Sequence, residues 1–169
     1  MAKDETSLHD KEMPQQEPIR RFWGIWQDLN AVYEQYARLQ GISYTSLIIL
    51  DQVYNDQLDG TACTQKSICT ATLLPKQTTN AIISGFVRDG IVELVPLPHD
   101  RRAKAVRLTE KGLAYARRIV GPSNDAEVSA LAQLSDAEQE QFLATLERFA
   151  TACAEQLRAF EARGADTER

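Results

Sequence analysis

Two long stretches of the chain, one toward each end, carry apolar residues at helical spacing. The first runs from about residue 19 to Gly41, and the second from Ser135 to Arg163. In both, apolar residues recur at intervals of three and four, which places them on one face of a helix. The first row contains Ile19, Phe22, Trp23, Trp26, Leu29, Tyr33 and Tyr36, and the second Phe142, Leu146, Phe149, Cys153, Leu157 and Phe160. Ser135 and Glu138 form an S-x-x-E capping box at the start of the second predicted helix.

Shorter elements are predicted between these two helices. Ser43 is suited to cap a second helix, residues 55–60 (NDQLDG) are typical of a turn, and Thr64 is suited to cap a short third helix anchored by Ile68. After residue 108, Thr109 caps a further helix whose inward residues are Leu113, Ala116 and Ile119. We expect Gly121-Pro122 to break that helix, because proline cannot donate the backbone hydrogen bond that continues it.

The fourth helix is predicted to have two unlike faces. Pro75 fits its first turn, and Gly90 fits its end. The spacing predicts a buried face made by Thr79, Ile82, Ile83 and Phe86. The opposite face carries Lys76, Gln77, Asn80, Ala81 and Ser84. A helix that starts with amides, a hydroxyl and an amine on its outer side is suited to form hydrogen bonds with a partner.

Two β-prone runs follow, residues 91–96 (IVELVP) and 103–108 (AKAVRL). The segment 97–102 (LPHDRR) between them is polar and basic, so we predict a hairpin with an exposed tip. A short helix, a turn, a helix with a polar start and a basic hairpin together predict a winged helix-turn-helix. The fold class is therefore mainly α, with a two-stranded β-hairpin wing and long N- and C-terminal dimerisation helices.

The two apolar-striped helices are predicted to lie outside a compact central unit. The compact unit, roughly residues 43–108, is too small to cover two long apolar-striped helices, so those helices are expected to pack in a homodimer. The alternative is that both rows pack within one monomer. The predicted parts are a flexible arm (1–17), a dimerisation helix (18–42), the winged helix-turn-helix lobe (43–112), C-terminal dimerisation helices (113–163) and a flexible tail (164–169).

The charge distribution points to a nucleic-acid partner. The chain has 169 residues and a net charge of −5, yet residues 64–112 hold eight basic and four acidic side chains. That segment is a localised basic region between acidic ends, which favours double-stranded DNA as the partner. The alternative is a solvated face that happens to be basic. No apolar run approaches the roughly 20 residues of a membrane span, and no signal peptide is visible, so we expect a cytoplasmic protein without membrane contact.

The residue types on the fourth helix suggest how each would contact DNA. The amides of Gln77 and Asn80 can each donate to and accept from the N6/N7 edge of adenine, and Ala81 can touch a thymine methyl group. Lys76 and Thr78 suit phosphates at the groove edge, and Ser84 extends the major-groove face. Phosphate contacts are also expected from residues at the starts of the second and third helices, namely Ser43, Thr64 and Lys66.

Residues 43–112 resemble the DNA-binding lobe of the MarR family of transcriptional regulators. The resemblance is carried by residues 100–112 (DRRAKAVRLTEKG), in which Asp100, Arg102, Leu108, Thr109 and Gly112 match the family's wing pattern. It implies that the aspartate braces the arginine, which enters the minor groove, where a narrow groove concentrates negative potential. Arg101 and Lys104 add charge to the wing. The family often has an arginine where Ala81 stands, so base reading is expected to rely on Gln77 and Asn80.

The resemblance also implies a homodimer formed by the terminal helices and a repressor released by a small aromatic or phenolic ligand. Four aromatic residues of the first helix are candidates for that pocket: Trp23, Trp26, Tyr33 and Tyr36. The alternative for these residues is core or dimer interface, the commoner role of aromatics at helical spacing.

Other functions find less support in the sequence. Cys63 and Cys69 flank the start of the third helix and raise a redox-responsive regulator as an alternative, while Cys153 is expected to be a small core residue. His9 and His99 form no cluster with metal-ligand spacing, and no cofactor or metal is expected. No phosphate loop or nucleophile elbow is present, so an enzyme is not expected. A winged-helix adaptor that binds proteins would not need the basic wing, and steep salt dependence would distinguish DNA binding from it.

Overall fold

The computed structural model describes residues 16–97 and 100–167, and side chains from residue 17 to 97 and from 103 to 160. Nearly all of the predicted arm, the hairpin residues 98 and 99 and the last two residues lie outside this range. The described elements, in chain order, are α1 (Gln16–Leu39), α2 (Tyr44–Leu58), α3 (Gln65–Thr72), α4 (Lys76–Arg88), β1 (Val92–Leu97), β2 (Asp100–Leu108), α5 (Glu110–Leu131) and α6 (Asp136–Thr167). The mainly α class with a two-stranded hairpin is confirmed.

The chain divides into two units, residues 1–121 and residues 122–169. The first unit contains α1 to α4, the hairpin and the first half of α5, and it holds a continuous hydrophobic core. Helix α2 lies at the centre of this core, with Ile49, Leu50 and Val53 fully buried. Ile68 of α3, together with Ile119 and Val120 of α5, is buried to the same degree. Burial of this order anchors each of these helices by the hydrophobic effect.

The predicted helix starts at Ser43 and Thr64 are confirmed. Ser43 Oγ accepts from the Ser46 backbone N at 3.1 Å. Thr64 Oγ1 accepts from the Ser67 N at 3.1 Å, and Ser67 Oγ accepts from the Thr64 N at 2.8 Å, so α3 begins with a reciprocal capping box. Such caps satisfy backbone donors that the helix itself leaves free.

The turn predicted at residues 55–60 is wrong for residues 55–58, because α2 continues to Leu58. Side-chain hydrogen bonds at i, i+4 spacing support this last stretch: Asn55 donates to Asp51 at 2.9 Å and Gln52 to Asp56 at 2.8 Å. The chain reverses only at Gly60, whose φ of 69° lies in the left-handed region that glycine adopts freely.

The hairpin is antiparallel, and its register pairs Val92 with Leu108 and Leu97 with Asp100. The predicted tip at residues 97–102 is therefore wrong, since only residues 98 and 99 lie between the strands. The register shifts between Pro96 and Leu97, where the proline has no N–H to donate to the ladder. Strand β2 begins at Asp100, before the apolar run at residues 103–108, because pairing with β1 continues into the polar residues.

A side chain of α2 and the backbone just before α3 hold the hairpin in place. The Val106 N donates to the Cys63 carbonyl at 2.8 Å, and Thr64 forms a bridge with Ala105. The Leu108 N donates to Gln57 Oε1 at 2.8 Å. The base of the wing is thus attached to the helix-turn-helix by hydrogen bonds in addition to apolar contacts.

Helix α5 begins as predicted at Thr109, whose Oγ1 accepts from the Gly112 N at 2.9 Å and donates to the Gly90 carbonyl at 2.7 Å. The predicted break at Gly121-Pro122 is wrong, because α5 continues through Pro122 to Leu131. Proline removes only the hydrogen bond to the carbonyl four residues earlier, so a helix supported on either side can run through it at a cost of about 3 kcal/mol. The dipeptide is instead where the two units of the chain meet in sequence.

Helix α6 begins with the predicted capping box: the Ser135 N and Oγ donate to Glu138 Oε2 at 2.8 and 2.7 Å. Within one chain its apolar row remains exposed, including Phe142 and Leu157. Cys153, expected to be a core residue, is also exposed. Spacing correctly predicted which residues share a face. Within the described residues of the second unit, no other segment buries that face.

Candidate nucleic-acid interface

The outer face of α4 is exposed as its spacing predicts. Lys76, Gln77, Asn80, Ala81 and Ser84 are all exposed, and Thr78 is half-buried. These side chains present two amides, a hydroxyl and an amine within the first three turns of one helix. Their contacts with DNA remain predictions, and their exposure is the condition that such contacts require.

The inner face of α4 fixes that outer face in position. Thr79 is fully buried, Ile83 and Phe86 are almost fully buried, and Ile82 packs against the core. Pro75 is the residue before the first turn rather than part of it, and Gly90, with a φ of 67°, ends the helix. Because the buried face cannot rotate without exposing apolar surface, the polar face is held at a defined angle to the rest of the lobe.

Asn80 is paired with a residue that sequence reasoning did not select. Gln65, the first residue of α3, donates from Nε2 to Asn80 Oδ1. The two amides are separated by 15 positions in the chain. No pattern in the sequence indicates this contact, because it depends on how α3 crosses α4.

A groove lies between α3, α4 and the hairpin, next to the outer face of α4. Its volume is about 500 Å³. The groove is lined by the apolar side chains of Val87 and Leu94, both partly exposed, and by the basic side chains of Lys66 and Lys104. The groove separates the start of α4 from the wing.

The predicted phosphate contacts differ in what their side chains already do. The hydroxyls of Ser43 and Thr64 are engaged in their helix caps. Lys66 is exposed. Within residues 17–97 and 103–160, Lys66, Lys76 and Lys104 form no ion pair, whereas Arg88 pairs with Asp89 at 3.3 Å. These three amines therefore carry positive charge that no described carboxylate neutralises.

The wing residues predicted for the minor groove lie in β2 rather than in a loop. Asp100, Arg101 and Arg102 form the first three positions of the strand, and their side chains lie outside the described residues. Lys104, two positions further, is exposed. The backbone thus places the basic segment at the far end of the hairpin, opposite its attachment to α3.

The wing motif has a structural function that the geometry explains. An added Cβ at Gly112 would lie 1.8 Å from the Ile91 carbonyl oxygen. The Thr109 N also donates to that carbonyl at 3.0 Å, and Thr109 Oγ1 binds the Gly90 carbonyl. The threonine and glycine of L-T-x-x-G therefore join the start of α5 to the residues just before β1.

The four aromatic residues predicted for a ligand pocket lie in two different settings. Trp23 and Trp26 are about half exposed and contact Phe22, with ring centroids 5.3 and 6.4 Å apart respectively. Tyr33 stacks on Tyr44 at 6.3 Å.

Tyr36 is tied into the first unit. Its hydroxyl donates to the Ile119 carbonyl at 2.5 Å, and burial raises the pKa of this phenol despite the nearby Arg118 charge. Of the four, the two tryptophans have the surface most accessible to a ligand.

The cysteines are free thiols with unlike surroundings. Cys63 is buried, Cys69 is half-buried and Cys153 is exposed. Burial, followed by a hydrogen bond and charge repulsion from Asp56, raises the pKa of Cys63 to about 12. Because the thiolate is the species that reacts with peroxide, Cys63 is held in an unreactive form at neutral pH.

The described residues contain neither a membrane span nor a metal-ligand cluster. None of the described helices is both long and apolar enough to cross a membrane. Histidine, cysteine and acidic side chains in the described part of the chain form no group of three that could hold a metal ion.

The MarR family model matches residues 40–103, which span the end of α1, the helix-turn-helix and most of the hairpin. No curated protein matches the chain significantly in sequence. Many solved structures do match it in fold. A MarR family regulator from Neisseria meningitidis, NMB1585, is 21% identical with a TM-score of 0.68, and the match covers 83% of this chain and 96% of that one.

Two structures of MepR from S. aureus are similar to the same extent. MepR in its DNA-binding conformation is 21% identical with a TM-score of 0.68, and the MepR–DNA complex is 22% identical with a TM-score of 0.62. Each match covers 79% of this chain and 96% of the other. At this identity the likeness concerns the fold, and the family model adds the sequence match. In the match across residues 40–103 and in its winged helix-turn-helix fold, this chain is similar to the MarR family of regulators.

Proposed function

We propose that this protein is a sequence-specific transcriptional regulator that binds double-stranded DNA. The observation that carries the proposal is the exposed polar face at the start of α4, held rigid by the buried Thr79, Ile83 and Phe86. A helix anchored in this way presents the same donors and acceptors to every DNA site, which is the requirement for reading a sequence.

In the proposed complex the start of α4 enters the major groove. Gln77 and Asn80 read base edges, with Ala81 and Ser84 beside them, and each good bidentate contact contributes about 1–3 kcal/mol of discrimination. Lys76, Thr78 and Lys66 bind phosphates and set the register. Thr64 lines the groove beside this surface, but the hydroxyls of Ser43 and Thr64 cap helices and are weaker candidates for phosphate binding.

The hairpin is proposed to bind the adjacent minor groove. Arg102 would enter it with Asp100 as its brace, while Arg101 and Lys104 add charge. The register of the strands supports this assignment, since it places residues 100–102 at the turn of the hairpin, away from the bridge between Thr64 and Ala105. Narrow minor grooves attract arginine through their strong negative potential.

The active form is proposed to be a homodimer bound to a pseudo-palindromic site. Apolar side chains remain exposed along α1 and along α6, and such rows on a single chain are typical of surfaces that pack against another chain. Half-sites about one helical turn apart would then match the twofold symmetry of the protein.

The regulator is proposed to be a repressor released by a small aromatic or phenolic ligand. Support comes from Trp23 and Trp26, whose partly exposed indoles offer a stacking surface. Tyr33 and Tyr36 are included in the proposed pocket, although both already have partners within the first unit. A ligand that quenches tryptophan fluorescence and also releases DNA would support this part of the proposal. A ligand screen in which no compound has both effects would argue against it.

The principal test is fluorescence anisotropy of the full chain on labelled DNA from upstream of its own gene, at two salt concentrations and with excess unrelated competitor. We expect tight binding that resists competitor and weakens steeply with salt, because phosphate contacts release counterions. Binding that competitor abolishes on every DNA fragment selected from the genome would contradict the proposal and favour an adaptor that binds proteins.

A further inference from the structure

We infer that Gln65, on α3, determines which base Asn80 reads from α4. This inference rests on the proposed DNA-binding function and adds a specificity-determining residue to it. The observation is the hydrogen bond from Gln65 Nε2 to Asn80 Oδ1 on the exposed side of the helix-turn-helix. Gln65 is half-buried, whereas Asn80 is exposed and available to a partner.

The position of Gln65 is itself well defined. It follows Thr64 directly, and the reciprocal capping box between Thr64 and Ser67 fixes the first turn of α3. Asn80 lies one turn beyond the start of α4, next to the buried Thr79. Both residues are therefore carried by helix backbones whose positions at this crossing are defined.

The hydrogen bond orients the Asn80 amide. A primary amide is planar, with its oxygen and its nitrogen on opposite sides of the carbonyl carbon. Since Gln65 binds the oxygen, the Nδ2 group of Asn80 is directed away from Gln65 with both N–H donors. Within the described residues Asn80 has no other side-chain hydrogen-bond partner, so these donors are available to DNA.

An amide that presents donors selects bases that present acceptors. In the major groove guanine offers the N7 and O6 acceptors and thymine offers O4, whereas cytosine offers an N4 donor and adenine an N6 donor beside N7. An unconstrained asparagine matches adenine, because it can donate to N7 and accept from N6. Because the Asn80 oxygen is directed at Gln65, the side of the amide that remains for DNA carries the Nδ2 donors, and Asn80 is expected to favour guanine or thymine instead.

Gln77 provides an internal contrast on the same face. It is exposed, and none of the described side chains forms a hydrogen bond with it, so its amide can rotate and use both groups. We therefore assign adenine recognition to Gln77 and acceptor recognition to Asn80. The two amides of α4, chemically alike in sequence, read different bases because only one has a partner on α3.

The test is the selection of bound fragments from a random DNA library by the full-length protein and four variants. Asn80→Ala identifies the position in each half-site that Asn80 reads. Gln65→Ala should raise the relative preference for adenine at that position about tenfold. Gln65→Glu should reverse the preference toward cytosine and adenine, because glutamate accepts from Asn80 Nδ2 and turns Oδ1 outward.

Lys66→Ala, one residue further along α3, is the matched control. It removes a phosphate contact and should weaken all sequences alike without changing any base preference. The glutamate at position 65 also repels phosphates, but repulsion lowers affinity for every sequence equally. The base profile therefore reports the amide orientation, and melting curves confirm that each variant is folded.

The outcomes separate this inference from the proposed function. If the wild-type protein selects a sequence but the Gln65 variants leave the Asn80 position unchanged, the inference is wrong and DNA recognition stands. The inference is also wrong if Asn80→Ala alters no position. If the wild-type protein selects no sequence at all, the proposed function itself fails.

Discussion

At the scale of single residues, Thr79 and Thr109 show how differently one hydroxyl can serve a fold. Thr109 Oγ1 caps α5 and binds the Gly90 carbonyl. Thr79 is fully buried in the core, and its Oγ1 has no hydrogen-bond partner among the described residues. An unpaired buried hydroxyl costs free energy, because it loses its hydrogen bonds to water and gains none.

Thr79→Val should therefore stabilise the protein. The substitution replaces the hydroxyl with a methyl group of similar size, and we expect the free energy of unfolding to rise by about 1 kcal/mol. Thr109→Val is the matched control. It should lower the free energy of unfolding by about 1–3 kcal/mol, because the Gly90 carbonyl and the Gly112 N lose their hydrogen bonds to the threonine hydroxyl. Thermal and urea unfolding of both variants measure the difference. A destabilised Thr79→Val would mean that the hydroxyl has a partner in solution.

Gly112 is required for a different reason, the close approach of two backbones. Gly112→Ala would place Cβ 1.8 Å from the Ile91 carbonyl oxygen, a backbone atom that cannot move aside cheaply. We expect a loss of about 3 kcal/mol in the free energy of unfolding. Gly121→Ala, on the same helix but with nothing within 4 Å of the added Cβ, should be neutral or stabilising. Equal stability of the two variants, measured by urea unfolding, would contradict this view of the wing motif.

At the scale of elements, the start of α6 is stabilised by charge as well as by hydrogen bonds. Hydrogen bonds from the Ser135 side chain and backbone hold the pKa of Glu138 below its usual value. A carboxyl whose pKa is lowered in the folded state stabilises that state above the unfolded pKa. The contribution is lost as the pH falls through the lower, folded value. The first turn of α6 should therefore weaken only in acid.

This assignment is testable by NMR titration of the Glu138 carboxyl. In Ser135→Ala we expect its pKa to rise toward the ordinary value, because the largest cause of the shift, the hydroxyl hydrogen bond, is gone. Ser129→Ala, at the end of α5, is the control and should leave the titration unchanged. An unaltered Glu138 pKa in Ser135→Ala would show that the capping box does not form in solution.

At the scale of the whole molecule, the exposed apolar side chains of α1 and α6 have the largest consequence. Trp23 in α1 and Phe142 and Leu157 in α6 are each more than half exposed in the single chain. Soluble monomers rarely expose rows of this kind, and a second copy of the chain is the proposed cover. The same surface explains why Cys153, on the α6 row, is exposed here although its spacing suggested a core position.

The dimer is tested by light scattering after size exclusion. The wild-type protein should have twice the chain mass of 18.9 kDa. Phe142→Asp should shift the population toward the mass of a single chain, because a buried, unpaired charge opposes association. Glu140→Ala, a change on the same turn of α6 outside the apolar row, should leave the dimer intact. A wild-type protein at the single-chain mass would exclude the proposed assembly.

Much of the fold was readable from the sequence because its signals are local. The caps at Ser43, Thr64, Thr109 and Ser135 act over three residues, and the two faces of α4 follow from helical spacing alone. The family resemblance rested on a short motif, and the match across residues 40–103 confirmed it.

What only the tertiary structure decided depends on residues far apart in the chain. The hairpin register placed Asp100 in a strand, and α5 continued through Pro122, whose missing N–H removes a single backbone hydrogen bond. The Gln65–Asn80 contact and the approach of Gly112 to Ile91 arise where separate elements cross. Spacing along a chain determines which side chains share a face, whereas packing determines which of them meet, and here that meeting orients the Asn80 amide.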